Sequence, residues 1–331
     1  MHTTTKSTPR KVIIGTTLFS VFEDRPYVGL EKRLEEISER MEEMTVDATQ
    51  KYGRGLDLAV FPENSLNSRV GETPADRAVP LNDANRKALG NIARQHNTYL
   101  VVSFNLLEDD GQVFNVATLF DRQGELAGIY RKVFCLADPD GESVERGKTP
   151  GSEFPVFETD FGRLAMAICY DMGFDELFES YAASGAEIIV WPSMSPQTVL
   201  PRLYARRFGF YLVSSTPRDN ASIFDPLGEI TSQVTKEGFV TQEIDLEYRL
   251  IHWQPALGDG KDLGKKFGPS MGMRYDCQED YGMVWSNEPD TSVDLLLEKA
   301  GLQTDRDARQ LARSVRKKIL EGALPDPASR N

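Results

Sequence analysis

Short apolar runs alternate with amphipathic segments along most of this chain, and this alternation limits the folds that it can adopt. The run KVIIGTTLF has the length and composition of a buried strand, and residues 26–52 after it repeat apolar side chains at helical spacing. The same order recurs in the strand-like LDLAVFP, a helical pattern over residues 83–95, and the strand-like TYLVVSFNLL. Because strands that alternate with helices pack as sheets covered by helices, the pattern predicts an α/β sandwich of mixed sheets with outer helices.

Turn residues and a change of composition define the organisation of the chain. Gly124 lies in the turn DRQGE between two strand-like runs and supplies the backbone freedom of a tight hairpin, and Gly162 takes the same place in a second hairpin. From Leu246 onward the chain has a Gly/Lys-rich loop, a second polar loop and an amphipathic helix around residues 305–321. We therefore expect a polar tail over residues 1–10, an α/β domain over residues 11–245, and an extension over residues 246–331 that is too short to bury much core alone.

The composition limits the partners that the chain can bind. It has 331 residues, a net charge of −13 and a sequence pI near 4.9, whereas a nucleic-acid surface needs clustered lysine and arginine. No apolar run of the sequence approaches the roughly 20 residues of a bilayer span. Its three cysteines, Cys135, Cys169 and Cys277, cannot pair completely and have neither zinc-site nor CxxC spacing. We expect a cytoplasmic protein without metal, cofactor, nucleic-acid or membrane partners.

Three predicted strands are each followed by a side chain that can take part in catalysis. AVFPE ends in Glu63, GIYRK ends in Lys132, and LAMAIC ends in Cys169. In α/β folds, loops at strand ends carry catalytic groups that the rigid sheet holds in place. Each residue alone has a simpler explanation: a solvated carboxylate, a surface charge and an inert buried thiol, respectively. Their occurrence together, in this chain order, favours a functional site.

The segments around these residues resemble the three signatures of the nitrilase superfamily of carbon-nitrogen hydrolases. FPEN, IYRKVF and ICYDMGF match its Pro-Glu, Tyr-Arg-Lys and Cys-Tyr/Trp-Asp/Glu signatures in order, and the resemblance extends over roughly residues 11–245. It implies a four-layer αββα sandwich that assembles into a homo-oligomer. The Tyr-Asp pair after the cysteine is more similar to the amidase and ω-amidase branches than to nitrilases or carbamoylases.

The resemblance also implies a role for each residue. Cys169 would attack the substrate carbon, while Glu63 would take the thiol proton and return it to the departing nitrogen. Lys132 would hold the oxyanion together with the backbone N–H of Tyr170, and its charge would favour the thiolate.

Other residues explain a reactive cysteine less well. A papain-like site needs a histidine partner, and the three histidines lie in the tail, at the end of a predicted helix and in the extension: His2, His96 and His252. Cys135 lies at a predicted loop entrance, and Cys277 is surrounded by carboxylates that would weaken it as a nucleophile. A carboxylate and a lysine are therefore the simpler partners for the thiol.

Many members of the superfamily use a second glutamate, between the lysine and the cysteine, to position the substrate nitrogen. The segment ADPDGESVERGKTPG offers Glu142 and Glu145, and its similarity to the family pattern favours Glu142. We expect an amidase that converts a small linear amide into a carboxylic acid and ammonia through a thioester on Cys169. N-carbamoyl hydrolysis and nitrile hydrolysis are the alternative reactions, and a catalytically silent oligomeric scaffold is the alternative that is not an enzyme.

The helix predicted in the extension has an apolar stripe that needs a partner. Its members are Ala308, Leu311, Ala312, Val315 and Ile319. The helix either covers its own domain or packs at a subunit interface, and the resemblance favours the interface.

Overall fold

The computed structural model describes residues 9–21, 29–67, 71–257 and 268–322 of the chain. These residues form two units: one spans Lys11–Leu246, and the other includes Arg10 and the residues from Glu247 onward. Most of the expected polar tail, nearly all of the Gly/Lys-rich loop and the terminal PDPASRN lie outside the described residues. In the four described ranges, no helix is long and apolar enough to cross a bilayer.

Sixteen strands and seven α-helices are present in the part of the chain that the structure describes. The strands are β1 (Lys11–Leu18), β2 (Leu58–Val60), β3 (Val79–Pro80), β4 (Tyr99–Leu107), β5 (Val113–Phe120), β6 (Leu126–Arg131), β7 (Val156–Glu158), β8 (Arg163–Met166), β9 (Ile188–Pro192), β10 (Tyr211–Ser215), β11 (Ala221–Phe224), β12 (Ile230–Val234), β13 (Gly238–Asp245), β14 (Tyr248–His252), β15 (Met271–Asp276) and β16 (Tyr281–Ser286). The helices are α1 (Leu30–Tyr52), α2 (Pro74–Arg77), α3 (Asp83–Gln95), α4 (Asp175–Ala183), α5 (Val199–Phe208), α6 (Val293–Ala300) and α7 (Asp305–Leu320).

Glycines set both ends of helix α1. The pattern predicts a helix over residues 26–52, but α1 begins at Leu30 because Gly29 has a φ of 92°, which is not helical; residues 26–28 lie outside the described residues. Gly53 ends the helix in the left-handed conformation and donates its N–H to the carbonyl of Thr49. The buried residues of α1 include Ile37, Met41, Met44 and Ala48, which form one face at helical spacing.

Two mixed sheets, each with helices on one side, make up the larger unit. The first sheet has the order β13-β1-β2-β4-β5-β6 with β3 beside β4, and the second has the order β12-β11-β10-β9-β8-β7. Apolar side chains of α1 and α3 pack on the first sheet, and those of α4 and α5 pack on the second. Hydroxyls link the sheets directly, since Thr16 Oγ1 of β1 donates to the carbonyl of Ser214 in β10 at 2.6 Å. The predicted αββα sandwich is therefore confirmed.

Strand direction brings several strand ends to one edge of each sheet. In the first sheet β2 is parallel to β4, and β6 runs the same way because β4, β5 and β6 are successively antiparallel. In the second sheet β8, β9 and β10 are parallel. The segments after β2, β6, β8 and β9 therefore leave their sheets at carboxyl ends, where α/β folds hold functional groups.

Gly124 is required at the predicted hairpin for two reasons. It has a φ of 82°, and its N–H bonds to the carbonyl of Asp121 at 2.9 Å to close the turn between β5 and β6. It also lies against Gly90 of α3, where an added Cβ would come within 2.4 Å of the Gly90 carbonyl oxygen. A side chain at residue 124 would therefore force this helix away from the sheet.

The smaller unit has a core of its own, contrary to the expectation for so short an extension. Its three antiparallel strands have the order β14-β16-β15, and the apolar side of this sheet packs against α6. The sequence pattern predicts a polar loop here and misses β15 and β16, because Gly272 and Arg274 interrupt the first apolar run and Gly282 interrupts the second. The buried residues of this core are Ile251, Leu257, Met271, Val284, Val293, Leu296, Leu297, Ala300 and Leu302.

Arg122 joins the two sheets at the hairpin between β5 and β6. Its Nη2 donates to Asp57 of the first sheet at 2.7 Å, and its Nε donates to Asp160, in the turn between β7 and β8 of the second sheet, at 2.6 Å. The guanidinium also lies over the ring of Tyr99, 5.4 Å from its centroid. The carboxylate of Asp57 is largely buried, and the guanidinium group of Arg122 offsets the cost of burying it.

We predict that Arg122→Ala lowers the free energy of unfolding by about 2 kcal/mol, which lies between the values for exposed and fully buried ion pairs. Arg94→Ala is the matched control, because the exposed Arg94 side chain donates a hydrogen bond to Asn91 of its own helix and the change should alter stability by less than about 0.5 kcal/mol. Urea unfolding of both variants measures the difference. Equal stability of the two variants would show that Arg122 does not hold the sheets together.

Candidate active site

Glu63 contributes a buried carboxylate that contacts both sheets. It lies three residues beyond the end of β2, and the left-handed backbone of Asn64 turns the chain away after it. Its Oε1 accepts the Nδ2 hydrogen of Asn115 in β5 at 2.7 Å, and its Oε2 accepts the backbone N–H of Met194, just beyond β9 of the second sheet, at 2.9 Å. Two donors fix the plane of the carboxylate, so its orientation is set before any substrate binds.

Lys132 places a buried ammonium group between two carboxylates. It directly follows β6, and its backbone N–H bonds to the carbonyl of Asn115 at 2.8 Å. Its Nζ lies 3.5 Å from Oε1 of Glu63 and also donates to Oε1 of Glu145. Burial acts to lower the pKa of Lys132, but the carboxylates of Glu63 and Glu145 outweigh burial and raise it. Lys132 is therefore a permanent cation of the site.

Glu145, and not Glu142, is the second glutamate beside Lys132. Glu145 Oε2 also accepts a hydrogen bond from Lys148 Nζ at 3.1 Å, while Asn115 Nδ2 approaches it at 3.4 Å. Burial opposes ionisation of Glu145, but Lys132 and Lys148 overcome it and lower the pKa of the carboxyl group. This geometry corrects the preference for Glu142.

Glu142 is exposed, and its backbone N–H donates to Asp140 in a surface turn at 2.9 Å. The sequence could not separate the two glutamates because the choice depends on the left-handed backbone of Glu145, which has a φ of 44°. That conformation turns the chain so that residue 145 faces Lys132 while residue 142 stays in solvent. The spacing of residues along the chain does not reveal this backbone conformation.

Cys169 begins a short 3₁₀ helix, Cys169–Gly173, in a strained conformation. Its φ of 44° is left-handed, which costs a residue other than glycine about 1 kcal/mol. Trp191 of β9 donates its indole N–H to the Cys169 carbonyl at 3.1 Å. The thiol therefore lies three residues beyond the end of β8, on a turn, and not directly at the strand end as the sequence predicted.

The thiol of Cys169 is protonated at neutral pH. Burial and the charge of Glu63 raise its pKa to about 12, against the opposing effect of Lys132. Lys132 acts to favour the thiolate, as expected from the sequence, but burial and the charge of Glu63 outweigh it. Attack by this sulfur therefore requires a base that accepts the proton during bond formation.

Tyr170 follows Cys169 within the 3₁₀ helix and has a half-exposed ring. The ring meets that of Phe174 edge to face, with 5.4 Å between centroids. Phe174 in turn stacks on Phe134, with 4.0 Å between centroids. The rings of Tyr170, Phe174 and Phe134 therefore form a cluster beside the turn that carries Cys169.

Two further side chains at the site, Asn115 and Lys148, were not predicted from the sequence. Asn115 is fully buried and contacts Glu63, Glu145 and, through its carbonyl, Lys132. Lys148 holds the other side of Glu145. Asn115 gave a signal, because an amide in the apolar strand FNVATLF must find hydrogen-bond partners when it is buried. Lys148 gave none, since a lysine in a polar loop is ordinarily a surface charge.

The remaining cysteines lie outside this arrangement. Cys135 is partly buried, its Sγ lies 3.7 Å from the Lys132 carbonyl, and burial and Glu145 raise its pKa to about 12. Cys277 is exposed in the smaller unit. In the described part of the chain, no group of three or more His, Cys, Asp or Glu side chains could hold a metal ion.

Comparisons with known proteins agree with this fold and these motifs. Residues 28–249 match the family model of the carbon-nitrogen hydrolases. Human omega-amidase NIT2 is 30% identical over 217 residues, which cover 59% of this chain and 78% of the human protein. The mouse omega-amidase NIT2 is 28% identical over 217 residues, with the same coverage of 59% and 78%.

Solved structures of the superfamily have the same fold. Nit3 of Saccharomyces cerevisiae, a member of branch 10 of the nitrilase superfamily, matches with a TM-score of 0.60 at 20% identity, over 71% of this chain and 90% of that one. A carbon-nitrogen hydrolase of Helicobacter pylori matches with a TM-score of 0.60 at 21% identity, over 72% and 90% of the two chains. Because the family model matches most of the chain and the resemblance seen in its motifs is thereby confirmed, the chain belongs to the carbon-nitrogen hydrolase family, as an amidase-like member of the nitrilase superfamily.

Proposed function

We propose that the chain is a cysteine-dependent amidase that converts a small linear amide into a carboxylic acid and ammonia. The observation that best supports this function is the buried carboxylate of Glu63, held by Asn115 and charge-coupled to both Lys132 and the thiol of Cys169. A protonated thiol needs such a base in order to attack an amide. The similarity to omega-amidases supports an amide as the substrate.

The proposed cycle assigns every proton to a group on the site. Glu63 accepts the proton of the thiol while the sulfur bonds to the amide carbon, and the carbonyl electron pair moves to oxygen. Lys132 and the backbone N–H of Tyr170 stabilise that oxyanion. When the intermediate collapses, the carbon–nitrogen bond breaks and Glu63 returns the proton to the departing nitrogen. Glu63 then takes a proton from the water that attacks the thioester. As the carbon–sulfur bond breaks, Glu63 returns that proton to the sulfur, which releases the acid and restores the thiol.

An amide matches the hydrogen-bond acceptors of this site better than a nitrile does. The carboxylate of Glu145 is an acceptor at the site, and an amide NH₂ group offers two donors where a nitrile offers none. N-carbamoyl compounds carry the same NH₂ group, so N-carbamoyl hydrolysis is the second candidate and nitrile hydrolysis the third. A catalytically silent scaffold is the candidate that is not an enzyme, and it would not require a base held in this way.

We also propose that the reaction takes place in the cytoplasm and requires no cofactor. Cys135 and Cys169 are free thiols, and a reducing compartment keeps a nucleophilic thiol available. Each step above is a proton transfer or an acyl transfer, and the side chains named for it are sufficient.

Ammonia release from a panel of substrates tests the proposed function. We predict that a small carboxamide is turned over with a higher kcat/KM than the matching nitrile or N-carbamoyl amino acid. Cys169→Ala should lower kcat/KM by at least about 10⁴-fold, as expected when a nucleophile is removed. Cys135→Ala is the matched control and should retain activity within about tenfold. A preference for the nitrile would overturn the amidase assignment, and an active Cys169→Ala enzyme would exclude the thioester.

Glu145 and Glu142 form a matched pair for testing the second glutamate. We predict that Glu145→Gln lowers kcat by about 100-fold, because the substrate loses a charged acceptor and Lys132 loses a partner. The exposed Glu142→Gln should stay within about twofold of wild type. Steady-state kinetics on one carboxamide measure both. A loss confined to Glu142→Gln would restore the assignment made from the sequence.

We further propose that the chain forms a homo-oligomer in which helix α7 packs against a second copy. The helix exposes an apolar stripe at successive turns, with Leu311 51%, Val315 44% and Ile319 38% exposed. Such a stripe on one helix face needs an apolar partner. A second copy offers the same stripe, which is the self-complementary arrangement of a two-fold interface.

Light scattering of matched variants tests this assembly. We predict that Leu311→Glu combined with Val315→Glu lowers the mean mass in solution, because the charges make the stripe costly to bury. Gln310→Glu adds a charge to the same helix outside the stripe and should leave the mass unchanged. An unchanged mass in the double variant would exclude α7 from the interface.

A further inference from the structure

Asp171 has a buried carboxylate for which the reaction described above has no use. It is the third residue of the Cys-Tyr-Asp motif, and its side chain is fully buried. Its Oδ2 accepts the backbone N–H of Ile168 at 2.8 Å and the hydroxyl of Tyr130 at 2.8 Å, while its Oδ1 accepts the backbone N–H of Phe134 at 2.9 Å. A buried carboxylate with three donors is held in a single orientation.

One of these bonds closes the turn that carries the nucleophile. Asp171 Oδ2 accepts a hydrogen bond from the N–H of Ile168, and the N–H of Asp171 donates to the Ile168 carbonyl at 3.0 Å. Cys169 and Tyr170 lie inside this reciprocal pair. The left-handed conformation of Cys169 costs about 1 kcal/mol and persists only where the surrounding bonds over-determine it.

The other two bonds reach the segment that carries Lys132. Tyr130 belongs to β6, two residues before the lysine, and Phe134 lies two residues after it. Lys132 is thus bracketed on both sides by groups that donate to one carboxylate. Since β6 belongs to the first sheet and the nucleophile turn follows β8 of the second, the carboxylate joins the two halves of the site across the sandwich.

We infer that Asp171 is a positioning residue that fixes the Cys169 thiol and the Tyr170 N–H at a set distance and angle from the Lys132 ammonium group. This inference rests on the proposed function, in which those groups act together on one carbonyl. A shift of about 1 Å between such groups lowers a rate by about 100-fold. Hydrogen bonds that join the Cys169 turn directly to the Lys132 segment should therefore have a large effect on turnover.

Because Asp171 can take up a proton, the positioning role predicts that kcat depends on pH. Burial raises the pKa of Asp171 to about 6, although its hydrogen bonds act to lower it. The ionisable groups that face it are Tyr130 and Lys132 on the β6 segment, Cys135 in the loop beyond and Tyr181 on α4. As the pH falls through about 6, the carboxylate takes up a proton and loses an acceptor, so kcat falls on the acid side.

Asp171→Asn is the decisive variant because asparagine has the same shape but only one acceptor oxygen. In either orientation its NH₂ group meets a backbone N–H, of Ile168 or of Phe134, and one bond is lost. We predict that kcat per titrated thiol falls by about 100-fold while KM changes less than about threefold. Alkylation of Cys169 by iodoacetamide, which needs no oxyanion site, should change less than about fivefold. The exposed Asp175→Asn is the matched control and should stay within about twofold of wild type.

Tyr130→Phe separates positioning from a merely structural role. It removes the one side-chain donor and leaves both backbone bonds, so kcat at the optimum should fall only about threefold. Because the lost hydroxyl stabilised the charged form, the pKa of Asp171 rises further, and the acid limb of kcat moves to higher pH. The same limb should be absent in Asp171→Asn.

Amide hydrogen exchange tests the inference without turnover. In Asp171→Asn at least one of the Ile168 and Phe134 amides should lose protection, whereas Cys169→Ala should retain both. If the wild-type protein hydrolysed no amide, the proposed function would fail, and the exchange result would still decide for or against the tie. The positioning role of Asp171 would be overturned if Asp171→Asn left exchange at both amides unchanged, or if its kcat per thiol stayed near the wild-type value.

Discussion

The site is built around one buried ammonium group, that of Lys132, held between the carboxylates of Glu63 and Glu145. Burying one charge is costly, and burying several is tolerable only when they balance and are hydrogen-bonded. Lys148 supplies a second positive charge on the far side of Glu145, so two carboxylates face two ammonium groups. Asn115 donates hydrogen bonds to both carboxylates, and because it carries no net charge it leaves the balance of charges unchanged.

This balance of charges affects the protonation state of the Cys169 thiol. With Lys132 already engaged by two carboxylates, its charge does not offset the effects of burial and Glu63 on Cys169, and the sulfur keeps its proton. In the proposed reaction, proton transfer to Glu63 and bond formation to the substrate carbon would therefore proceed together. A free thiolate would react with any electrophile that reached it, whereas a paired thiol and carboxylate react best when an oxyanion develops beside Lys132.

Besides the hydroxyl of Thr16, two carboxylate-centred groups of hydrogen bonds, at opposite ends of strand β6, link the two sheets. Asp57 and Asp160 share Arg122 near one pair of hairpins. Asp171 joins the nucleophile turn to the lysine segment at the site. Apolar packing between sheets has no strong direction, so hydrogen bonds of fixed length are what set the register of one sheet on the other.

The sequence alone determined the layer pattern, the bounds of α3 and the position of the three motifs around Glu63, Lys132 and Cys169, because periodicity and short motifs are local properties of the chain. It did not determine which glutamate meets Lys132, since that depends on the left-handed backbone at Glu145. Nor did it identify Asn115 and Lys148 or the protonated state of Cys169. Those features arise from which side chains two different sheets bring together and how deeply they are buried, and only the tertiary structure decides burial and contact between distant parts of the chain.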